Sequence, residues 1–537
     1  MPCSEDTRSY DYLIVGGGPA GSACAARLAA AFPQRQIALL ETGPAKASWL
    51  SRMPIAVAAL VPWRNRHNYA FRTVPQPGLN GKRGLQPRGR GLGGSSLINA
   101  MIYLRGQSED YDSWEKNGAD GWGWNQVLPI FKEMECNTRG ANTWHGDSGP
   151  WKVADLEIPS SCTQAFVAAG VESGIEFNAD FNGAHQAGVG LYQVTQHNGQ
   201  RFNAAQAFLK PQPQNLKILT GVQVTRVLIV EGRATGVELA DGRRFSTRRE
   251  VVLCAGVYGT PQLLMLSGIG PADHLHSLGI RVHKDCPEVG KNLQDHVDIT
   301  ISRAVDDKGL LGLVPSLLPQ LLTGLLSYLK RRAGLLSTNV AEAGAFVSTR
   351  PETSRPDVQF HFCVGIVDEH GRRIHAKRGF SVHICGLRPK SRGLVRLQSA
   401  DPRHPPLIDP HYLSEPEDLQ TLVDGIRIAR KLLLAPSMSK YSGRSLHGLE
   451  RLEGEELRAA IRLHADTIYH PVGTCRMGSD PSAPLDPQLR LRGIAGLRVA
   501  DASVMPTLIS GNTQVPCAMI GVRAAMFIQQ EEYQHGD

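Results

Sequence analysis

Tyr10-Asp11-Tyr12-Leu13-Ile14-Val15-Gly16-Gly17-Gly18-Pro19-Ala20-Gly21 is followed by the alanine-rich run Ser22–Ala31 and by Ile37-Ala38-Leu39-Leu40-Glu41. This stretch decides the fold, because it reads as strand, glycine turn, helix and second strand. Gly16, Gly18 and Gly21 have the G-x-G-x-x-G spacing, and Glu41 stands about 20 residues beyond the last of them. Each position has a physical role in a dinucleotide site. Gly16 allows the tight turn, Gly18 lets the backbone approach a pyrophosphate, and Gly21 lets the helix lie close on the strand. The helix N-terminus turns unpaired N–H groups toward phosphate. Glu41 would accept hydrogen bonds from ribose hydroxyls. The glycine spacing alone is weak. With both strands, the helix and the acid in place it predicts a dinucleotide-binding α/β unit.

Gly89-Arg90-Gly91-Leu92-Gly93-Gly94 has the same spacing, but Gly84–Arg88 before it is rich in Gly, Pro and Arg and is no strand. We read it as a backbone loop packed against the first ligand, not as a second dinucleotide fold. Further strands are expected at Leu216–Leu219, Val224–Val230, Val237–Leu239, Val251–Cys254 and Leu497–Ala500. Between about 300 and 460 the texture changes. Strands at Val358–Val364, Phe380–Gly386 and Leu394–Leu397 come with prolines at 402, 405, 406 and 410, then an amphipathic helix over Asp418–Leu434. This predicts a second unit of antiparallel sheet plus helices.

The composition agrees. The chain has 537 residues, 42% apolar and 20% charged, which is ordinary globular usage and excludes disordered and fibrous classes. A net charge of +8 is mild at this length, its short clusters lie at Arg243–Arg249 and Lys330–Arg332, and aromatics are 6%. Nucleic acid is therefore not an expected partner. Ten cysteines form no Cys-x-x-Cys pair, and they read as reduced core residues of a cytoplasmic protein. Met1–Ser9 is polar, so no secretory signal is expected. Neither Gly-x-Ser-x-Gly nor His-Glu-x-x-His occurs, and no metal site is expected.

Several denser motifs point one way. Gly89–Asn99 running on to Gly106, Gly256–Gly270 with Thr260-Pro261-Gln262-Leu263-Leu264, Val289-Gly290-Lys291-Asn292-Leu293-Gln294-Asp295-His296, His470-Pro471-Val472-Gly473-Thr474, and Leu497–Ser503 recur together. The chain resembles the glucose–methanol–choline (GMC) flavoenzyme family over nearly its whole length, and most of all bacterial alcohol and choline dehydrogenases. Val257 departs from the pattern, which favours a small or hydroxyl residue there. The resemblance implies an α/β fold with a discontinuous Rossmann-like FAD domain over 1–155, 205–300 and 462–537. An α+β substrate domain would take 156–204 and 301–461. It implies one FAD: Gly16, Gly18, Gly21 and Glu41 at its ADP part, Val224 beside adenine, Gly93, Gly94 and Asn99 along the flavin, and Asp501 and Ala502 near the ribityl and pyrophosphate. Where some relatives tether the flavin through histidine this chain has Ile98, so the FAD is expected to be non-covalent.

The implied reaction is oxidation of a primary alcohol, with hydride passing to flavin N5. The hydroxyl proton needs a base poised near neutral pH, which suits histidine. His470 matches the family's catalytic histidine, and Asn512 its partner position, where it would orient the substrate oxygen. Alone, Asn512 would read as a helix N-cap. The helix near Pro516–Ile528 would aim its N-terminal dipole at the flavin. Glu342 falls where choline-oxidising relatives hold a carboxylate near the cationic head group, though it also reads as a buried structural acid. His361 reads as pocket lining or as a half-buried strand histidine, and Tyr469 as a cover for the substrate. Choline dehydrogenase, an O₂-using oxidase, a non-redox lyase of the same family, and a flavin-binding protein without turnover stay open. The electron acceptor would be quinone or O₂. Gly309–Leu329 has no charged residue and carries leucines at 317, 318, 321, 322, 325, 326 and 329 on one helical face. The helix, starting at Pro315 and ending at Leu329, is too short to span a bilayer; it would cover the pocket or, with Lys330–Arg332, lie in a membrane surface over 309–332 on its inner face.

Overall fold

Strand β1 (Arg8–Val15) is buried from Tyr10 onward, because it runs through the middle of a sheet covered on both faces. The computed structural model describes residues 8–312, 314, 324–326, 328–330, 332, 334–352 and 355–534. Helix α1 (Pro19–Ala31) follows the glycine turn, with proline at its first position, where a missing N–H costs nothing. Strand β2 (Ile37–Glu41) is buried throughout. β1 pairs in parallel with β2 and with Arg244–Leu253, and β2 with Leu216–Thr220. Arg233–Leu239 and Val224–Val230 extend the sheet antiparallel, and Leu497–Val499 joins Arg244–Leu253 in parallel. Seven strands result. The C-terminal helix Gln514–Gln534 packs on α1; it begins two residues before the expected Pro516.

The second sheet also has seven strands, all antiparallel. Val297–Ala304, Gly379–Gly386, Val358–Cys363, Ala341–Val347 and Gly188–Leu191 lie side by side, with Arg444–Ser445 and Asp466–Thr467 on the outer flank of Val297–Ala304. Helix Pro416–Leu434 covers one face, placing Leu422, Ile426, Ala429 and Leu432 in a core with Val358, Phe360 and Ile384.

The structure moves three expectations. Val297–Ala304 lies wholly in the second sheet and Asp466–Thr467 pairs with it, so the boundaries at 300 and 462 are displaced by a few residues. Leu394–Arg396 does not join the large sheet; it pairs only with Leu407–Asp409, because the prolines between them turn the chain back at once. Most of the helix expected over Pro315–Leu329 lies outside the described residues. Of its described part, Leu325 and Tyr328 pack inward against Met53, Ala56 and Leu60, while Leu326 and Leu329 are exposed. Among the described residues no helix is long and apolar enough to cross a membrane, and all nine cysteines are free.

Candidate active site

One cavity of about 1700 Å³ runs from the glycine turn after β1 to the second sheet. At one end lie Gly16, Gly18, Glu41, Val224, Asp501 and Ala502, and at the other His361, Tyr469, His470 and Asn512. Gly94, Ile98 and Asn99 line it between them.

Gly16 has φ +108°, and a Cβ there would sit 2.2 Å from the Cys254 carbonyl oxygen. A Cβ on Gly21 would come 1.9 Å from Gly16 O, so helix and strand meet through bare backbone. Gly18 differs: its nearest neighbour would be 4.0 Å away, so the space beyond it belongs to the cavity. Glu41 accepts from Gly17 N (2.8 Å), Gly43 N (2.7 Å) and Gly91 N (3.0 Å). Its Oε2 takes only one of these and keeps a lone pair for a ligand hydroxyl. The second glycine loop packs on the first, with Gly93 N donating to Gly17 O at 2.7 Å. Gly93 and Gly21 thus lie against protein backbone, Gly21 in the helix-on-strand role expected of it. Asp501 accepts from Gly256 N (2.8 Å), Thr260 Oγ1 (2.6 Å) and Ser503 N (2.8 Å). Asn99 accepts from Arg201 Nη1 at 2.7 Å and donates to Gln514.

At the far end His470 is buried, its backbone N donating to Asp295 Oδ1 at 2.9 Å. Its Nε2 faces Asn512 Nδ2 at 2.9 Å, and its Nδ1 faces His296 Nδ1 at 3.0 Å. Burial, then the charges of His296, His361 and Arg88, push the His470 imidazole well below its usual value; it is neutral at pH 7 and able to take a proton. Asn512 Oδ1 is buried without a partner. The side chain therefore does not cap the helix that follows through that oxygen; it spends its amide on His470. Tyr469 has φ +76°, a strained conformation for a bulky residue. Three bonds hold it: its N to Thr467 Oγ1 (2.7 Å), its carbonyl from Arg88 Nη2 (2.7 Å), and its hydroxyl to His370 Nδ1 (2.6 Å). His361 sits in strand Val358–Cys363 and lines the cavity with Nε2 unpartnered.

Glu342 is the exception. Its carboxylate accepts from Ser160 N (2.8 Å), Thr163 Oγ1 (2.6 Å) and Thr338 Oγ1 (2.8 Å), and it does not line the cavity. Of its two expected readings this geometry supports the buried structural acid: the register irregularity between Ala341 and Ala343 lets Glu342 serve the start of helix Ser161–Glu172. Among the described lining residues the carboxylates are Glu41 and Asp501 alone, both at the nucleotide end. Near His470, Asp298 is bonded to His383. Burial alone would lower the His383 imidazole; the Asp298 charge overcomes this and raises it to about 10. The cavity wall there presents His383, not an acid.

Sequence reasoning assigned no role to Asp295, His296, Arg88 or His383. Asp295 and His296 close the motif Val289–His296, so the signal was their place at its end. Among the described residues no cluster of His, Cys, Asp and Glu is arranged to hold a metal ion.

Two models described as GMC oxidoreductase match residues 10–298 and 389–521. The chain is 47% identical over 528 residues to an alcohol dehydrogenase [acceptor] of Pseudomonas putida, covering 97% of this chain and 95% of that one. It is 40% identical to an oxygen-dependent choline dehydrogenase of Sinorhizobium fredii, covering 96% and 94%. Among solved structures it resembles pyridoxine 4-oxidase from Mesorbium loti, with TM-score 0.87, 30% identity and coverage of 98% and 100%.

Proposed function

The chain belongs to the GMC oxidoreductase family, whose enzymes act on CH–OH donors with FAD, and from that premise we propose that it oxidises a neutral primary alcohol to the aldehyde with His470 as base. The observation that carries the reading is the His470–Asn512 pair, 2.9 Å apart, at the end of a cavity that begins at a dinucleotide turn. The chain's own residues fit FAD: open space beyond Gly18 and a free lone pair on Glu41 Oε2, both on the cavity that runs to His470. When bound, FAD supplies the acceptor for the hydride that leaves the carbinol carbon.

The residues supply the rest. His470 Nε2 takes the hydroxyl proton as the carbonyl forms. Asn512 Nδ2 exchanges its bond to His470 Nε2 for one to the substrate oxygen, which frees the Nε2 lone pair and holds the alcohol against the base. Tyr469 and His361 bound the pocket. A neutral alcohol is favoured over choline because no lining carboxylate lies near His470, and Asp298 is already matched by His383. FAD is held without a covalent bond, since Ile98 offers no nucleophile; acid precipitation should leave all yellow colour in the supernatant.

Anaerobic bleaching of the bound flavin by hexan-1-ol or benzyl alcohol, ahead of choline, is the expected result. No bleaching across a broad alcohol panel favours a lyase or a protein without turnover. His470→Ala should slow flavin reduction by roughly 10²–10⁴ with FAD content near normal; normal reduction would remove His470 from the mechanism. Asn512→Ala should be milder, because one neutral hydrogen bond is lost and water can partly replace it. Parallel assays with an artificial acceptor and with O₂ separate dehydrogenase from oxidase. A quinone acceptor would bring the chain to a bilayer, where the exposed Leu326 and Leu329 beside Lys330 would meet anionic lipid. Flotation with anionic liposomes should then be lost in Leu326→Glu/Leu329→Glu; a wild type that stays wholly in solution ends that reading.

A further inference from the structure

His296 is fully buried immediately before strand Val297–Ala304, and its ring stands at 90° to that of His470 with centroids 5.2 Å apart. Its Nε2 lies 3.1 Å from the carbonyl oxygen of Leu387. A carbonyl only accepts, so this nitrogen carries hydrogen. Burial, with the Arg388 charge, outweighs the backbone carbonyls of Leu387 and Ile509 and holds the His296 imidazole down to about 3; the ring is neutral, and with its hydrogen on Nε2 its Nδ1 is a bare lone pair. That lone pair faces His470 Nδ1 at 3.0 Å. Two nitrogens make a hydrogen bond at this distance only if one carries hydrogen, and it must be His470 Nδ1. His470, neutral as well, then has its lone pair at Nε2, where Asn512 Nδ2 donates to it at 2.9 Å.

We propose that His296 is a positioning residue that fixes the tautomer of His470, so that the nitrogen facing the alcohol is the one able to accept its proton. The chain of donors is Asn512 Nδ2 to His470 Nε2, His470 Nδ1 to His296 Nδ1, and His296 Nε2 to Leu387 O. Its direction is set at the Leu387 carbonyl, where it can run only one way. Without His296, only the Asn512 donor opposes hydrogen on His470 Nε2, and that donor must give up its place to the alcohol before the base can act. Asp295, next in sequence, holds the His470 backbone by its own bond; the two neighbours fix position and tautomer separately. This inference rests on His470 being the base.

The experiment compares His296→Leu with His296→Asn in the FAD-loaded enzyme. The Asn oxygen can stand near the original Nδ1 and accept from His470; Leu cannot accept. In His296→Leu the limiting rate of flavin reduction by hexan-1-ol should fall about 10- to 100-fold, less than the ~10⁴ reported by loss of a charged triad partner. KM should change by less than about threefold, as for an interaction that matters in the transition state. His296→Asn should recover most of the rate. Equal loss in both variants, or a loss carried by KM, overturns the proposal. Because His296→Leu could lose FAD, the nitrogen-15 shifts of His470 in the wild type give an independent reading: hydrogen on Nδ1 is required, and hydrogen on Nε2 overturns it. His470→Ala in the same assay separates the two claims. A normal His470→Ala ends the base assignment itself, whereas an impaired His470→Ala beside a normal His296→Leu ends only the role of His296.

Discussion

At Gly18 and Gly21 the same residue type does opposite work. Gly21 has no room for a methyl group within the protein, while Gly18 has room that only a ligand would fill. Gly21→Ala should therefore lower the melting temperature of the apoprotein by several degrees, since forced backbone separation costs about 1–3 kcal/mol. Gly18→Ala should leave the apoprotein's melting unchanged and weaken FAD retention; a Gly18→Ala enzyme that keeps its full FAD would mean the pyrophosphate lies elsewhere. His470 allows a second residue-scale expectation. Its proton affinity is depressed by burial and by neighbouring histidines and Arg88, so the acid limb of kcat/KM should lie below the ordinary histidine value of 6.5. The sign for stability follows from the same fact. Below pH 6.5 the unfolded chain takes up protons that the folded His470 and His296 refuse, and stability falls with pH. An acid limb above pH 7 would show that another group is the base. The glycine turn was legible because its logic is local, confined to the residues from β1 to β2. His470 was legible only through the motif around it, since nothing within His470-Pro471-Val472 shows that His296 and Asn512 converge on its ring from distant parts of the chain.

Strand Ala341–Val347 shows why an element can mislead. All seven of its residues are buried, so it has no polar face to say which way Glu342 points, and its register slips between Ala341 and Ala343. A slip of that kind changes what a side chain meets without leaving a mark in the sequence. The carboxylate joins this strand to the N-terminus of helix Ser161–Glu172 through Ser160 and Thr163. Glu342→Ala would leave these buried donors unsatisfied at about 1–3 kcal/mol each. It should lower the melting temperature while the ratio of kcat/KM for hexan-1-ol over choline stays as in the wild type. A collapse of choline use alone would restore Glu342 to the substrate pocket. The helix Pro416–Leu434, in contrast, was visible from its periodicity to within a few residues, because an amphipathic face repeats over many turns.

Across the whole molecule, the cavity takes its walls from both sheets, so a ligand filling it touches both halves at once. FAD that binds only the folded state should stabilise it by about 2.7 kcal/mol at a free concentration one hundred times Kd. Titrating FAD into apoprotein should raise the melting temperature of both halves together. A rise in only one of two resolved transitions would show that the halves melt independently. The broad division into a nucleotide unit and an antiparallel unit was readable from texture, but the exact crossings were not. Val297 and Thr467 meet as strand partners only because the chain leaves one sheet and returns to the other.

That interleaving has a consequence for how the molecule is made. Leu497–Val499 completes the nucleotide sheet, and both His470 and Asn512 belong to its last crossing. During synthesis the N-terminal turn, α1 and β2 emerge first and can begin to fold, whereas the base and its partner emerge only near the end. A chain still on the ribosome can have a nucleotide cradle but no proton acceptor beside it. Chemistry thus switches on only at completion, and a polypeptide broken off early would be catalytically silent, not reactive and unguided.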